Sequence, residues 1–383
     1  MSTVYILGAG FSMPFGYPSS RDLLGQLNKF VRTPGAFDSE WKNKWERCWK
    51  ELGESKDDAV RCAFEGGNIE ELLTILNFRQ KLVGNRFSDS TEEFFTNSEK
   101  TGVGSIGPAF ERRSHNANQL SNEYSEHSNA LMEVLRRFFV YRHGYDNAHW
   151  EESTYEDMRR FAKYVQPGDT VATFNYDALA ERALLHCRKW NPGNGYGFTV
   201  PLEHAKNCCV CGGESPVQVL HLHGLVGWYD GEAPLDASSL DAQFLRELGC
   251  PCRPVKNINP KYWNVIAPSY IKTYIAPYWD GTKIVELWAM AIQAIQRSSN
   301  IVVIGYSLPD ADSAAMTLFS SISNKKVDIV NPSVGIRGHV SNLLNTRGNQ
   351  LGDNSRGNWL DRIPDYDLSA WLNEHESRSH TSS

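Results

Sequence analysis

The stretch Val4-Tyr5-Ile6-Leu7-Gly8-Ala9-Gly10-Phe11-Ser12 decides the fold class of this 383-residue chain. A short apolar run that ends in two glycines one residue apart predicts a buried strand followed by a tight turn. A helix is expected to follow, beginning near Pro18 and ending at about Val31. This succession of a strand, a glycine turn and a helix is typical of α/β proteins with a parallel sheet.

The second half of the chain alternates apolar strands with amphipathic helices. The expected strands cover residues 170–174, 217–222, 265–267, 301–304 and 327–330, and the expected helices cover 178–187, 285–296 and 312–322. Such alternation predicts an α/β fold, with a Rossmann-like parallel sheet covered by helices.

The region between the first two expected strands has helical periodicity and a polar interruption. We therefore expect a core of residues 1–34 and 165–372, and a large, mainly helical insertion over 35–164. Within the insertion, residues 84–127 lack a pattern and are expected to be flexible. The polar residues 373–383 are expected to form a mobile tail.

Composition excludes several functional classes. The net charge is −6 and the pI is about 6.0, so the chain has no overall attraction to nucleic acid or to an anionic membrane. Basic pairs such as Arg136-Arg137 lack interleaved aromatic residues, which disfavours direct nucleic-acid binding. No run of about 18 apolar residues occurs, and the first residues lack the charged region of a signal peptide, so we expect a cytoplasmic protein without a membrane span.

Six of the expected strands end in a small polar cluster. The clusters are Gly8-Ala9-Gly10-Phe11-Ser12, Asn175-Tyr176-Asp177, His221-Leu222-His223-Gly224, Pro268-Ser269-Tyr270, Gly305-Tyr306-Ser307-Leu308-Pro309-Asp310 and Asn331-Pro332-Ser333. In open parallel sheets, ligands bind outside the carboxyl ends of the strands. Six clusters therefore predict one long ligand that lies across that edge of the sheet.

The glycine turn can be interpreted in two ways. Gly8 and Gly10 would let backbone N–H groups approach a phosphate, but the third glycine and the downstream acid of the dinucleotide fingerprint are missing. The other interpretation is a tight turn without a ligand.

The next two clusters carry candidate catalytic residues. Asn175 could bind ribose hydroxyls or hold a water, while Asp177 could form an Asx turn at the start of the following helix. His223 precedes Gly224, where the strand must turn, so it is placed to reach a ligand as a general base. His221 shares its face of the strand and is expected to be structural.

The ordered set of motifs resembles the sirtuin superfamily, and most closely its divergent bacterial branch of NAD hydrolases from antiphage defence systems. The resemblance covers residues 4 to about 333. The matching segments are Gly8-Ala9-Gly10-Phe11-Ser12, Gly16-Tyr17-Pro18-Ser19, Asn68-Ile69-Glu70-Glu71-Leu72-Leu73, Thr173-Phe174-Asn175-Tyr176-Asp177, Leu222-His223-Gly224 and Ile304-Gly305-Tyr306-Ser307-Leu308-Pro309.

The resemblance implies an NAD site built from the turns after the strands. Its binding residues would be Gly8, Ala9, Gly10, Phe11, Ser12, Pro18, Asp177, Gly305, Tyr306, Ser307 and Asn331. By the same resemblance, Asn175 would bind the nicotinamide ribose and position the attacking water, and His223 would polarise a ribose hydroxyl. The implied reaction cleaves NAD to ADP-ribose and nicotinamide.

One departure from the family bears on the reaction. Protein deacylases of the family carry a Gly-Ile-Pro-Asp-Phe-Arg type segment, and this chain has Gly16-Tyr17-Pro18-Ser19-Ser20-Arg21 without the phenylalanine. Hydrolysis is therefore favoured over deacylation or ADP-ribosyl transfer. A module that senses NAD or ADP-ribose without turnover remains an alternative. An oxidoreductase is disfavoured by the incomplete glycine fingerprint.

The sequence also gives expectations about a metal site and about protein partners. Cys208, Cys211, Cys250 and Cys252 could hold a structural zinc or remain reduced thiols, since their order differs from that of the deacylase zinc module. By analogy with the defence branch, the chain would form a homo-oligomer and work with a HerA-type hexameric ATPase.

Overall fold

The computed structural model of the chain describes most residues. The described residues are 2–80, 108–149, 152–200, 202–203, 212–230, 239–240, 252–254, 262–265, 282–308, 312–345, 347–351 and 368–381.

Eleven strands, twelve α-helices and one 3-10 helix (Met13–Phe15) lie within these ranges. The strands are β1 (Thr3–Leu7), β2 (Thr170–Thr173), β3 (Leu202–Glu203), β4 (Gln218–His221), β5 (Gly224–Asp230), β6 (Ser239–Leu240), β7 (Arg253–Pro254), β8 (Tyr262–Val265), β9 (Asn300–Ile304), β10 (Lys326–Val330) and β11 (Gln350–Leu351). The helices are α1 (Ala9–Ser12), α2 (Ser20–Val31), α3 (Ser39–Gly53), α4 (Asp58–Glu65), α5 (69–80), α6 (Pro108–His149), α7 (Glu152–Tyr164), α8 (Leu179–His186), α9 (Thr282–Arg297), α10 (Ser313–Ser320), α11 (Val334–Asn345) and α12 (Leu368–Thr381).

The described residues form two compact units. One contains the chain up to Ser19 and from Phe139 onward, and the other contains Ser20–Phe138. The sequence predicts boundaries at 34 and 164 instead. Helix α2 belongs to the second unit because Phe30 packs edge-on against Phe138 of α6, with ring centroids 5.5 Å apart. Helix α7 belongs to the first unit, where it packs against α8.

The first unit contains a six-stranded sheet in the order β11-β10-β9-β1-β2-β4. Every neighbouring pair in it is parallel. From the central β1, the chain adds β2 and β4 on one side and then β9, β10 and β11 on the other. This is the strand order of the Rossmann fold, with its topological switch point between β1 and β9. The predicted α/β fold with a parallel, Rossmann-like sheet is confirmed.

Burial of the strands explains why the sequence predicted them. All four residues of β2 are buried, as are Val4 to Leu7 of β1 and Ile301 to Ile304 of β9. Strands covered by helices on both faces read as continuous apolar runs. Helix α9 packs on β2 and β4, and α11 packs on β10.

The strand predicted over 265–267 does not belong to the parallel sheet. Val265 ends β8, which pairs antiparallel with β5 in a separate three-stranded sheet. The cluster Pro268-Ser269-Tyr270 lies outside the described residues. The sixth parallel strand is β11, whose two residues pair with Lys326 and Val327.

Helix α6 begins at Pro108, within the segment predicted to be flexible over 84–127. Its polar residues have polar partners within the second unit, and further along the helix Leu131, Val134, Leu135 and Phe138 are buried. Tyr124 donates to Asp57 at 3.3 Å, Ser128 donates to Asn77 at 3.2 Å, and His127 lies 3.0 Å from Glu51. Residues 84–107 lie outside the described part of the chain.

Helix α12 runs as far as Thr381, into the tail predicted to be mobile over 373–383. Trp371 and Leu372 of this helix are buried. Arg160 of α7 binds both carboxylate oxygens of Glu376, at 2.9 and 3.0 Å. A polar sequence thus forms an ordered helix through ion pairs and two apolar anchors. In the described part of the chain, no helix combines the length and apolar character needed to cross a membrane.

Candidate functional site

The turns after β1 and β9 lock together at the switch point of the sheet. Gly8 N–H donates to the Ile304 carbonyl at 3.0 Å, and Gly10 N–H donates to the Gly305 carbonyl at 2.8 Å. A Cβ on Gly10 would lie 2.7 Å from the Cα of Gly305, which itself has a φ of 64°. Glycine is therefore required here by the contact between two backbones.

This packing bears on the phosphate contact predicted for the glycine turn. The N–H groups of Gly8 and Gly10 already have carbonyl partners, and α1 has only four residues, so it supplies no extended helix dipole. Ala9 and Gly10 are half-buried. The interpretation as a tight turn is sufficient to explain both glycines, and their phosphate contact stays a prediction.

Asn175 connects the end of β2 to the turn after β1. Its amide Nδ2 donates to the Gly8 carbonyl and to Ser12 Oγ, each at 2.9 Å. Ser12 Oγ in turn donates to Asp177 Oδ2 at 2.6 Å. We call these four residues the switch-point network. Because the Gly8 carbonyl can only accept, the orientation of the Asn175 amide is fixed with its Oδ1 away from Gly8.

Asp177 is the acidic member of the switch-point network. The Leu179 N–H donates to its Oδ1 at 3.1 Å, which is the Asx turn expected from the sequence. Burial raises the pKa of Asp177 from 3.8 to about 6, and hydrogen bonds from Ser12 and Leu179 limit this rise. Asp177 thus holds a proton at mildly acidic pH and is mostly ionised at neutral pH.

His221 contacts the backbone of Asn175 in the switch-point network, which agrees with the structural role expected from the sequence. Its Nδ1 lies 3.1 Å from the Asn175 carbonyl, and its Nε2 is paired with Glu181 of α8. Both side chains are fully buried. Burial acts to lower the pKa of His221, but the Glu181 carboxylate outweighs it, so the pKa lies above its ordinary value.

His223 faces different partners from His221. Strand β4 ends at His221, so His223 lies in the turn to β5 and is buried beside aromatic rings. Phe174 meets its ring edge-on at 5.0 Å between centroids, and the Tyr176 ring is 6.3 Å away. The residues on either side of Asn175 therefore bring His223 close to the switch-point network.

Asp312 is a site residue that the sequence reasoning missed. Its Oδ2 lies 3.7 Å from His223 Nε2 and accepts a hydrogen bond from the Tyr306 hydroxyl at 3.1 Å. Its position before α10 indicated only a helix start. The signal that could have found it is the short spacing from the Gly305-Tyr306-Ser307 turn, which places it at the same edge of the sheet.

The other predicted residues divide between core and surface. Tyr306 is buried, with its ring stacked on Phe174 at 4.2 Å, and Phe11 is buried against Phe161 at 5.1 Å. Pro18 is half-buried and Ser307 is exposed. These side chains surround the turns that form the site.

Asn331 lies at the carboxyl end of β10 and is buried. Its Oδ1 accepts from the Ser333 N–H at 2.9 Å, and its carbonyl accepts from the buried Arg337. The structure thus uses Asn331 to form the turn into α11.

The predicted zinc site cannot be assembled from the described residues. Cys208, Cys211 and Cys250 lie outside them, and Cys252 is a buried residue that precedes β7. Within the described ranges, no three His, Cys, Asp or Glu side chains are grouped as metal ligands.

A comparison of the sequence with protein-family models finds no match, and a comparison with curated proteins finds none.

Proposed function

We propose that this chain is a sirtuin-like NAD glycohydrolase, which cleaves NAD and water to ADP-ribose, nicotinamide and a proton. The observation that carries the proposal is the switch-point network with His223 beside it. It joins the carboxyl ends of β1 and β2, next to the topological switch point between β1 and β9, and open α/β sheets bind their ligands at that edge.

The geometry supports a role for Asn175 in the proposed reaction. Both N–H groups of its amide are used by Gly8 and Ser12, so Oδ1 is the atom that can accept a hydrogen bond from a ribose hydroxyl or a water. A fixed acceptor of this kind can orient the attacking water without further rearrangement.

Charge at the site suits the chemistry of glycosidic cleavage. As the bond between nicotinamide and ribose breaks, its electron pair leaves with nicotinamide and positive charge develops on the ribose. Above about pH 6 the Asp177 carboxylate is ionised and supplies negative charge nearby. His223 polarises a ribose hydroxyl, and the proton of the attacking water is released to the solvent.

We place this activity in the cytoplasm, where the chain would act as an effector of antiphage defence. Loss of NAD would stop growth of an infected cell. A homo-oligomer and a HerA-type ATPase are the proposed partners that restrain it.

A module that binds NAD or ADP-ribose without turnover is the second candidate. One observation favours it: the switch-point network is complete within the protein, and the N–H groups of Gly8 and Gly10 already have partners. Such a closed network is suited to a stable binding surface.

The deciding experiment measures NAD consumption by the purified chain, with products separated by chromatography. Asn175→Ala and His223→Ala are compared with the wild type, and His339→Ala, an exposed histidine of α11, is the matched control. We expect ADP-ribose and nicotinamide from the wild type and the control only. Turnover that requires an acylated peptide would indicate a deacylase instead. NAD binding by calorimetry without any turnover would favour the sensing module.

A further inference from the structure

One face of the parallel sheet changes from apolar to polar near the start of its strands. Val4, Thr170 and Gln218 are register partners in β1, β2 and β4, so their side chains lie side by side on one face. The next row on the same face is fully buried and apolar, and its members are Ile6, Ala172 and Leu220. We call Thr170 and Gln218 the polar row.

Helix α9 makes the same change where it covers these strand ends. Its last two turns present one stripe of side chains at spacings of three and four, formed by Met290, Gln293, Ala294 and Arg297. A cavity of about 190 Å³ lies between this stripe and the polar row, within the first unit of the chain. The place where sheet and helix would pack as core is thus an open space with polar walls.

The polar side chains around this cavity do not bond to one another. In the part of the chain that the structure describes, the side chains of Gln218, Gln293 and Arg297 make no hydrogen bond or ion pair. The hydroxyl of Thr170 is also without a partner there, although the residue is only 8% exposed. Buried or half-buried donors of this kind are satisfied by water or by a ligand.

The charge of the cavity walls is positive. Arg297 is the one charged residue among those that line the cavity. Asp169, which precedes Thr170, has both carboxylate oxygens occupied by the N–H groups of Thr3 and Gln166, at 2.7 and 2.8 Å.

The end of α9 carries a second cation close by. Lys325 Nζ donates to the carbonyls of Gln296 and Ser298, at 2.8 and 2.6 Å. It thereby offsets the partial negative charge of the carboxyl end of the helix. The guanidinium of Arg297 therefore acts without an opposing helix end.

We propose that this cavity binds a small anion, whose carboxylate or phosphate group pairs with Arg297 while the polar row and Gln293 supply further hydrogen bonds. A guanidinium presents pairs of N–H groups that match two oxygens of either group. The cavity is smaller than the roughly 300–1,000 Å³ of sites for drug-sized ligands, so the ligand is about the size of a dicarboxylic acid. The site lies at the opposite end of the strands from the switch-point network and does not depend on the proposed function.

The test is an NMR titration of the ¹⁵N-labelled full chain with inorganic phosphate, succinate and uncharged succinamide. The side-chain amide signals of the two glutamines are assigned by their loss in Gln218→Leu and Gln293→Leu. We expect these signals to shift with a dissociation constant of about 1 mM or lower for at least one anion, and to respond at least about 10-fold more weakly to succinamide. A response to phosphate alone identifies a phosphoryl ligand, and a response to succinate alone identifies a carboxylate.

Arg297→Met keeps most of the length of the side chain and removes its charge. It should weaken binding of the anion by about 10-fold or more, since hydrogen bonds to a charged group are lost. The matched control is Arg32→Met, which removes an exposed arginine after α2 and should leave the affinity unchanged.

Three results would overturn the proposal. The first is the absence of any shift with both anions at about 10 mM, which would leave the cavity filled with water alone. The second is equal binding of succinate and succinamide, and the third is an unchanged affinity in Arg297→Met. Because NAD is not a component of these titrations, their outcome is separate from that of the NAD cleavage assay.

Discussion

Asn175 and Gly8 are separated by 167 positions in the chain, and a 2.9 Å hydrogen bond joins the amide of one to the carbonyl of the other. This bond ties the ends of β1 and β2 together where the proposed substrate would lie. The amide of Asn175 is therefore both a structural link and a candidate catalytic group, and these two roles respond differently to substitution.

Replacement of Asn175 by aspartate should destabilise the chain. Asn175→Asp removes both N–H donors that the Asn175 amide contributes to the switch-point network, and it places a second carboxylate near Asp177. We expect the free energy of unfolding to fall by about 2–4 kcal/mol, as measured by urea denaturation. The matched control is Asn331→Asp, since Asn331 uses its oxygen to accept from Ser333 and an aspartate keeps that bond. Equal losses in both variants would contradict the structural role of the Asn175 donors.

The contact between Gly10 and Gly305 should be intolerant of a methyl group. In Gly10→Ala, the new Cβ would lie 2.7 Å from the Gly305 Cα, and neither backbone can yield easily. We expect a loss of about 2 kcal/mol or more. The control is Gly25→Ala in α2, where a Cβ meets nothing within 4 Å and alanine favours the helix by about 1 kcal/mol. Thermal unfolding of both variants measures the difference, and a harmless Gly10→Ala would refute the packing explanation.

Asp177 should make stability depend on pH in the direction opposite to most carboxylates. Because burial raises its pKa in the folded chain from 3.8 to about 6, folding favours the protonated form. That stabilisation is present below about pH 4 and is lost as the pH rises to about 6. Asp177→Asn has no such loss, so its stability relative to the wild type should increase by up to about 3 kcal/mol from pH 4 to pH 7.

Urea denaturation at several pH values measures this difference. Asp58→Asn serves as the control, because the side chain of Asp58 is 82% exposed. Its stability relative to the wild type should change little with pH. A difference between Asp177→Asn and the wild type that stays constant from pH 4 to pH 7 would show that Asp177 titrates normally.

The buried pair of Glu181 and His221 should have the opposite pH signature. Because the pKa of His221 is raised in the folded chain, its protonated imidazole contributes stability below about pH 6.5. This contribution is lost as the pH rises through the folded-state pKa. In Glu181→Gln, the amide can donate to a neutral imidazole, so the hydrogen bond is kept while the charge partner is removed. We therefore expect the variant to be less stable than the wild type at pH 5.5 and closer to it at pH 8.5.

Thermal unfolding at the two pH values tests the expectation for Glu181→Gln. The exposed pair of Lys50 and Glu54 provides a control in Glu54→Gln, which should show a small effect at both values. A larger destabilisation by Glu181→Gln at pH 8.5 than at pH 5.5 would mean that His221 is neutral in the native chain.

The sequence predicted the sheet because buried parallel strands such as β1, β2 and β9 are apolar at nearly every position. It failed where structure is held by polar contacts. Tyr124 and Ser128 of α6 have partners far away in the chain, and Glu376 of the last helix is bound by Arg160 of α7. No local pattern reveals such partners. Strand β11 was missed because two residues are too short for a periodic signal.

The candidate site was predictable in its location more than in its details. Strand ends with Asn175, Asp177 and His223 pointed to one edge of the sheet. The partner of each group depends on long-range packing, so the link from Ser12 to Asp177 and the approach of Asp312 to His223 required the structure. The sequence showed the two glycines of the first turn. It did not show that the backbone of Gly305 packs against them and so requires glycine there.

The central strand β1 is synthesised before both of the strands that pair with it. Val4 pairs with Thr170 on one side and with Ile301 on the other. At about 10 residues per second, roughly 30 seconds of translation separate β1 from its second neighbour. During that time the first turn lacks Gly305, and neither Asp312 nor the completed sheet edge exists. The edge of the sheet that carries the candidate site is therefore complete only after Asp312 has been synthesised.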